Sequence, residues 1–182
     1  MRRAYTLIEV LVVVTVLGIA AALVVPSMAS AGVLRIHGAV RTVISDITFA
    51  QSDALAYQTR RAIVFDTDMA VYSICEVNGP TINPADDALW VSTGRSHRYV
   101  VDLKRPEFGD AAITAANFDG SKVLVFDEMG GPVKTPLGDE PLAAGTITLV
   151  GSGATFTISV EAYTGRVTVE KSGEGTGNGS GD

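Results

Sequence analysis

Arg2-Arg3-Ala4-Tyr5-Thr6-Leu7-Ile8-Glu9-Val10-Leu11-Val12-Val13-Val14 opens an apolar run that continues to Val25 and stops at Pro26. Thirteen strongly apolar side chains lie between positions 7 and 25. Each contributes roughly −0.3 to −0.6 kcal/mol to membrane insertion, against about +3 kcal/mol for a buried acid, so insertion is expected despite Glu9. As a helix, residues 5–25 reach about 30 Å, the thickness of the hydrocarbon core. An acid inside such a segment is a functional signal that calls for a partner.

The pattern resembles the class III signal of type IV pilins and pseudopilins, in which prepilin peptidase cuts between a small residue and an aromatic and then methylates the new amine. The resemblance implies cleavage between Ala4 and Tyr5, N-methylation of Tyr5 and a filament-assembly role for Glu9. The family's counterpart of Glu9 meets the N-terminal amine of a neighbouring subunit. Pro26 matches the family's helix-kinking proline. The family usually has glycine before the cut and phenylalanine after it, where this chain has Ala4 and Tyr5. The implied partners are other pseudopilins or pilins through the N-terminal helix, prepilin peptidase and the inner membrane. Two rival readings exist. An ordinary Sec signal, with Arg2 and Arg3 as its charged start and cleavage after Ala31, does not use Glu9, and its apolar region is usually shorter. A generic anchor explains the length but not Thr6-Leu7-Ile8-Glu9.

The chain has 182 residues and a formal charge of −6, which becomes −8 when Arg2 and Arg3 are removed. That length beyond an anchor suits one domain. An acidic head is a poor default binder of nucleic acid, because that affinity comes mainly from phosphate neutralisation; Arg60 with Arg61 and residues 95–98 are the only local basic spots. The positive-inside rule, applied to Arg2 and Arg3, places everything after Pro26 outside the cytoplasm, so localisation is read as single-pass inner membrane with the C-terminal domain in the periplasm. Cys75 has no second cysteine to pair with and sits in a strand-like stretch, which reads as a buried free thiol.

After Pro26 the apolar pattern becomes one-sided. Val33, Ile36, Val40, Val43, Ile47, Ala50, Ala54 and Tyr57 are spaced 3-4-3-4-3-4-3, the repeat of an amphipathic helix continuing to about Thr59, with Arg35, Arg41, Asp46, Gln51, Asp53 and Gln58 off the stripe. Its cover is β. Strands are predicted at residues 62–65, 70–77, 98–103, 122–126, 146–150, 155–160 and 166–170. The last three form a meander with hairpin turns at Gly151-Ser152-Gly153 and Thr164-Gly165 and with Phe156, Ile158 and Val160 facing inward. Residues 78–97 and 104–121 read as long loops, where binding is expected if it exists. The fold class is α+β, pilin-like: a long N-terminal helix, half transmembrane and half amphipathic, packed on an antiparallel β-sheet domain. The expected divisions are a leader at 1–4, a transmembrane helix at 5–26, an amphipathic helix at 27–61, a periplasmic β domain at 62–171 and a flexible Gly-rich tail at 172–182.

Two further stretches carry a closer resemblance. Phe49-Ala50-Gln51-Ser52-Asp53-Ala54-Leu55-Ala56 followed by Arg60-Arg61-Ala62-Ile63-Val64-Phe65-Asp66 resembles the helix-to-strand join of GspH/FimT-type minor pseudopilins. Tyr163-Thr164-Gly165-Arg166-Val167 resembles their closing meander. This implies a minor pseudopilin of the type II secretion system acting in protein secretion across the outer membrane, or alternatively a FimT-like minor pilin of a type IV pilus acting in pilus assembly, adhesion or DNA uptake.

The residues offer no catalytic constellation, so the chain reads as a substrate of enzymes, not as an enzyme. No Gly-x-Ser-x-Gly elbow and no Gly-rich loop with a lysine appear. Asp66 with Asp68, and Asp127 with Glu128, are candidate metal pairs, but acids at strand ends more often cap turns. His37 and His97 lack a second ligand at zinc spacing and read as surface residues. The expectation is therefore no metal, no cofactor and no small-molecule substrate.

Overall fold

The computed structural model describes residues 6–92 and 97–172, with residues 22–31 described by their backbone only. A single helix, α1 (Leu7–Tyr57, 51 residues), runs through the apolar half and the amphipathic half. It starts at Thr6, whose Oγ1 accepts the Glu9 N–H at 3.3 Å. It stops because Gln58 turns left-handed (φ 52°, ψ 45°). The Gln58 and Thr59 N–H groups both return to the Ala54 carbonyl, the closure typical of a helix C-terminus. The helix therefore ends short of Thr59, and Arg61, placed by the sequence reading in the helical segment, already pairs with Glu76 and Phe126 in the sheet.

The strands form two antiparallel sheets. β1 (Arg61–Asp66), β2 (Val71–Glu76), β3 (Val100–Asp102), β5 (Val123–Phe126) and β6 (Pro132–Val133) make the first, in the order β3-β2-β1-β5-β6. β4 (Ala112–Phe118), β7 (Ala144–Gly151), β8 (Ala154–Glu161) and β9 (Val167–Ser172) make the second, in the order β4-β7-β8-β9. The predicted meander is present as β7-β8-β9, and β4 widens its sheet to four strands. β4 lies inside the stretch that the sequence pattern assigned to a loop. Its alanine-rich composition gives little β signal, and a bulge between Ile113 and Ala115 breaks the two-residue alternation. The other long connection, residues 78–97, holds the short helix α2 (Pro84–Asp87).

The core sits where α1 meets both sheets. Ile36, Val40, Val43, Ile47, Ala50 and Ala54 are buried against Ile63, Ile74 and Leu124 of the first sheet and Ile147, Leu149 and Ile158 of the second. Val33 and Tyr57, the two ends of the predicted stripe, are exposed. Phe156, Ile158 and Val160 all point inward, as their alternation requires. Phe65 of β1 stacks on Phe118 of β4 with ring centroids 5.6 Å apart, which ties one sheet to the other.

Two turns explain why particular residues stand where they do. Ser152 (φ 50°) and Gly153 (φ 74°) are both left-handed, the two-residue hairpin whose twist matches the strands it joins. Gly165 (φ 65°) closes the β8–β9 connection, and a Cβ there would meet Gln51 Nε2 at 2.6 Å. Gln51 uses that nitrogen to donate to the carbonyls of Gly130 (2.8 Å) and Thr164 (2.9 Å), so one helix side chain clasps a loop from each sheet.

Candidate assembly site on the N-terminal helix

Ala4 and Tyr5 lie outside the described residues. The first described feature is the Thr6 cap. Thr6-x-x-Glu9 has the spacing of a capping box, in which the hydroxyl satisfies an orphan N–H and an acid occupies the third helical position. The carboxylate of Glu9 also stands in the first turn, where the helix dipole favours negative charge. Within one chain, then, Glu9 has a local role that the insertion argument did not consider; the Thr-x-x-Glu spacing was the signal for it.

Over residues 7–21 the helix is bare. Leu7, Ile8, Leu11, Val14, Leu17 and Ile19 are each more than half exposed, an apolar surface far beyond what a soluble monomer leaves uncovered. An open apolar groove runs along Thr6, Leu7, Val10, Leu11, Val14 and Thr15, the i, i+3, i+4, i+7 spacing of a face that receives another helix. Among the described residues no helix is long and apolar enough to cross a membrane. The fully described part of the run, residues 7–21, holds 15 residues against the roughly 20 that a span needs, and the sequence continues it to Val25. Pro26 falls within α1, and the helix is continuous across it.

One acid of each candidate metal pair caps a turn, and Glu128 of the second pair bonds Arg60. Asp66 Oδ1 accepts the N–H groups of Asp68 and Met69 at 3.0 and 2.9 Å. Asp127 Oδ1 accepts those of Met129 and Gly131 at 2.9 and 2.7 Å. Among the described residues no group of three or more His, Cys, Asp and Glu stands together. His37 is half-buried on α1, edge-on to Phe156 at 5.1 Å, rather than on the open surface; His97 is exposed and stacks on Trp90 at 5.1 Å. Cys75 is buried and free, and desolvation pushes its thiol up to about 12, which keeps it protonated and unreactive.

The Arg60 and Arg61 spot is already engaged. Arg60 bonds Glu128 and Asp139 and the carbonyls of Pro136 and Gly138. Arg61 Nε meets Asp53 Oδ2 at 2.5 Å, with both side chains nearly enclosed. Neither is free to meet a phosphate.

Asp46 was read from the sequence as lying off the apolar stripe, yet it is buried. It accepts hydrogen bonds from Tyr72 Oη (2.5 Å) and Tyr99 Oη (2.8 Å), so the helix is pinned to the first sheet through a carboxylate. No sequence period marks it; only the two tyrosines, 26 and 53 residues downstream, give it partners. Burial pushes its carboxyl above the ordinary range, with the two hydroxyls opposing. A raised native pKa means that the folded chain binds this proton more tightly than the unfolded chain. The benefit is present below the unfolded value and is lost as pH rises through the folded one. Asp46→Asn is therefore expected to narrow its stability gap with the parent chain, or to overtake it, as pH rises from 4 to 7. Urea midpoints of both across that range test this; parallel curves would show that the Asp46 carboxyl binds its proton equally well in the folded and unfolded chains.

The prokaryotic N-terminal methylation motif matches residues 1–25. The structure is similar to the solved structure of the minor pseudopilin EpsH from the type 2 secretion system of Vibrio cholerae, with a TM-score of 0.52, 10% identity, and coverage of 77% of this chain and 99% of that one. The fold is pilin-like. No curated protein matches the chain in sequence. The pilin-like α+β architecture is a likeness of fold, since 10% identity is too low to transfer chemistry. It accounts for the layout seen here: a helix whose first half is uncovered and whose second half is the spine of a β head.

Proposed function

We propose that the chain is a minor pseudopilin, a structural subunit of a type II secretion pseudopilus. The observation that carries this reading is the continuity of α1: a methylation-motif segment with no cover of its own runs without a break into the spine of a pilin-like head. The likeness of fold to EpsH, a minor pseudopilin of the type 2 secretion system, supports this reading.

In this reading prepilin peptidase cuts between Ala4 and Tyr5 and methylates Tyr5. Residues 5–26 hold the chain in the inner membrane, Pro26 bends the helix on leaving it and residues 27–171 stand in the periplasm; the tail expected at 172–182 lies, beyond Ser172, outside the described residues. The apolar groove by Val10 and Val14 receives the helix of a neighbour, and Glu9 pairs with that neighbour's Tyr5 amine. Pairing two opposite charges away from water offsets the cost of burying either alone. The chain performs no catalysis and holds no cofactor.

Glu9→Leu in the native host is the test. Membrane insertion is expected to be unchanged, because an acid is exchanged for an apolar side chain, while incorporation into sheared filaments and secretion of exoproteins both fall. Normal incorporation of the variant contradicts the pairing. A loss of pili with intact secretion assigns the chain to a type IV pilus instead.

A further inference from the structure

We infer that Arg35 binds the phosphate of an anionic phospholipid in the outer leaflet of the membrane that holds α1, and so sets the height at which the head stands above it. The inference rests on the membrane-held reading and adds to it a ligand and the residue that takes it.

The helix supplies the ruler. Val25 ends the apolar run, residues 27–34 carry no charged side chain, and Arg35 is the first charge after Glu9. α1 is continuous from Val25 to Arg35, so the Arg35 backbone stands about 15 Å beyond the hydrocarbon edge. The headgroup layer fills about 5–8 Å of that distance. Side chains on a helix lean toward its N-terminus, which here is the membrane side. The long arginine stem therefore carries its guanidinium back toward the lipid phosphates, as snorkelling cations do.

The fold holds that stem and leaves its charge open. Gly109 lies against it: a Cβ there would stand 3.2 Å from Arg35 Cδ and 3.3 Å from Arg35 Cβ. Arg35 is exposed and makes no hydrogen bond or ion pair among the described residues. Asp110, the acid next to that contact, is given to Ser152 instead. Its Oδ2 accepts the Ser152 N–H at 2.7 Å and its Oδ1 the Ser152 hydroxyl at 3.0 Å. An arginine whose stem is already ordered loses less side-chain entropy when an anion arrives, and its planar fork suits two phosphate oxygens.

The place of the contact names the anion. Ser152 meets α1 at Gly32, where a Cβ would lie 2.6 Å from its Oγ, so this end of the head reaches nearer the bilayer than Arg35 does. An arginine at that height is attracted to anionic headgroups. The head offers no general attraction of its own, since residues 58–172 hold 15 acids against 10 bases. Retention of anionic lipid therefore reports on the helix cation.

The test reconstitutes the full chain in vesicles of phosphatidylcholine and phosphatidylglycerol in equal amounts, and reads by native mass spectrometry how much phosphatidylglycerol stays bound on release. The parent chain is expected to retain several-fold more than R35Q. R41Q, which removes an exposed arginine six residues farther from the membrane, is expected to retain as much as the parent. Equal retention by R35Q and the parent overturns the inference. Equal losses in R35Q and R41Q show an unspecific effect of charge and overturn it too. Displacement of the lipid by added inorganic phosphate would mark a free-anion site, and it also counts against the inference. Flotation of the same samples separates the two levels of failure. A failed membrane-held reading shows as a chain that does not float with the vesicles, whereas a failed lipid site shows as a floating chain whose retention ignores residue 35.

Discussion

Arg61→Ala is expected to lower the unfolding free energy by about 3–5 kcal/mol, the range for removing one member of an enclosed ion pair. Arg61 opens β1 and Asp53 sits one turn from the end of α1, so their 2.5 Å contact fixes the angle at which helix becomes sheet. The loss arises because Asp53 is left enclosed without its cation, not because the pair is strong in itself. Replacing both partners by apolar residues of similar size, Arg61→Met with Asp53→Leu, should therefore recover most of it. Urea unfolding of the full chain in detergent micelles, read as a double-mutant cycle, checks both statements. A double variant as unstable as Arg61→Ala contradicts the explanation.

The second large effect is expected at Phe118. The ring is buried, stacks on Phe65 and covers Gly145, where a Cβ would lie 2.5 Å from it. Phe118→Ala should cost about 3–5 kcal/mol, since it opens a cavity at the seam between the sheets. Gly145→Ala alone should cost about 1–3 kcal/mol through overpacking. Together they should cost clearly less than the sum, because the added methyl enters the space that the ring vacates. Strict additivity in the same unfolding measurement rules out direct contact between these positions.

These two sites also mark how far the sequence could be read. The 3-4 spacing from Ile36 to Ala54 and the alternation of Phe156, Ile158 and Val160 are direct images of burial, and both are present in the fold. Their periods survive because each lies in an uninterrupted element with one covered face. β4 left no such image, since a bulge displaces its register between Ile113 and Ala115 and its inward residues include Ala116. The helix end at Gln58 was hidden for a similar reason: a left-handed residue that is not glycine carries no compositional mark.

In the candidate site, Glu9 and the apolar run were legible because a charge in a membrane segment is costly enough to stand out. What was not legible was the neighbourhood. The Asp46 cluster draws its partners from Tyr72 and Tyr99 on two separate elements. The Arg60 and Arg61 spot looked basic in sequence, and the fold neutralises it with Glu128, Asp139 and Asp53. Glu9 gives its backbone N–H to the Thr6 cap within its own helix, and the proposed function adds a separate use for its carboxylate, pairing with an amine of a neighbour.

The proposed function requires that α1 (Leu7–Tyr57) belong to a processed, membrane-held chain that serves assembly. The most direct measurement is the N-terminal sequence and intact mass of the protein recovered from membranes of its native host. The account predicts a chain that begins at N-methyl-Tyr5 and retains the whole of α1. A chain that begins at Gly32 would mean that the apolar half is discarded with its Glu9, and it would contradict the account.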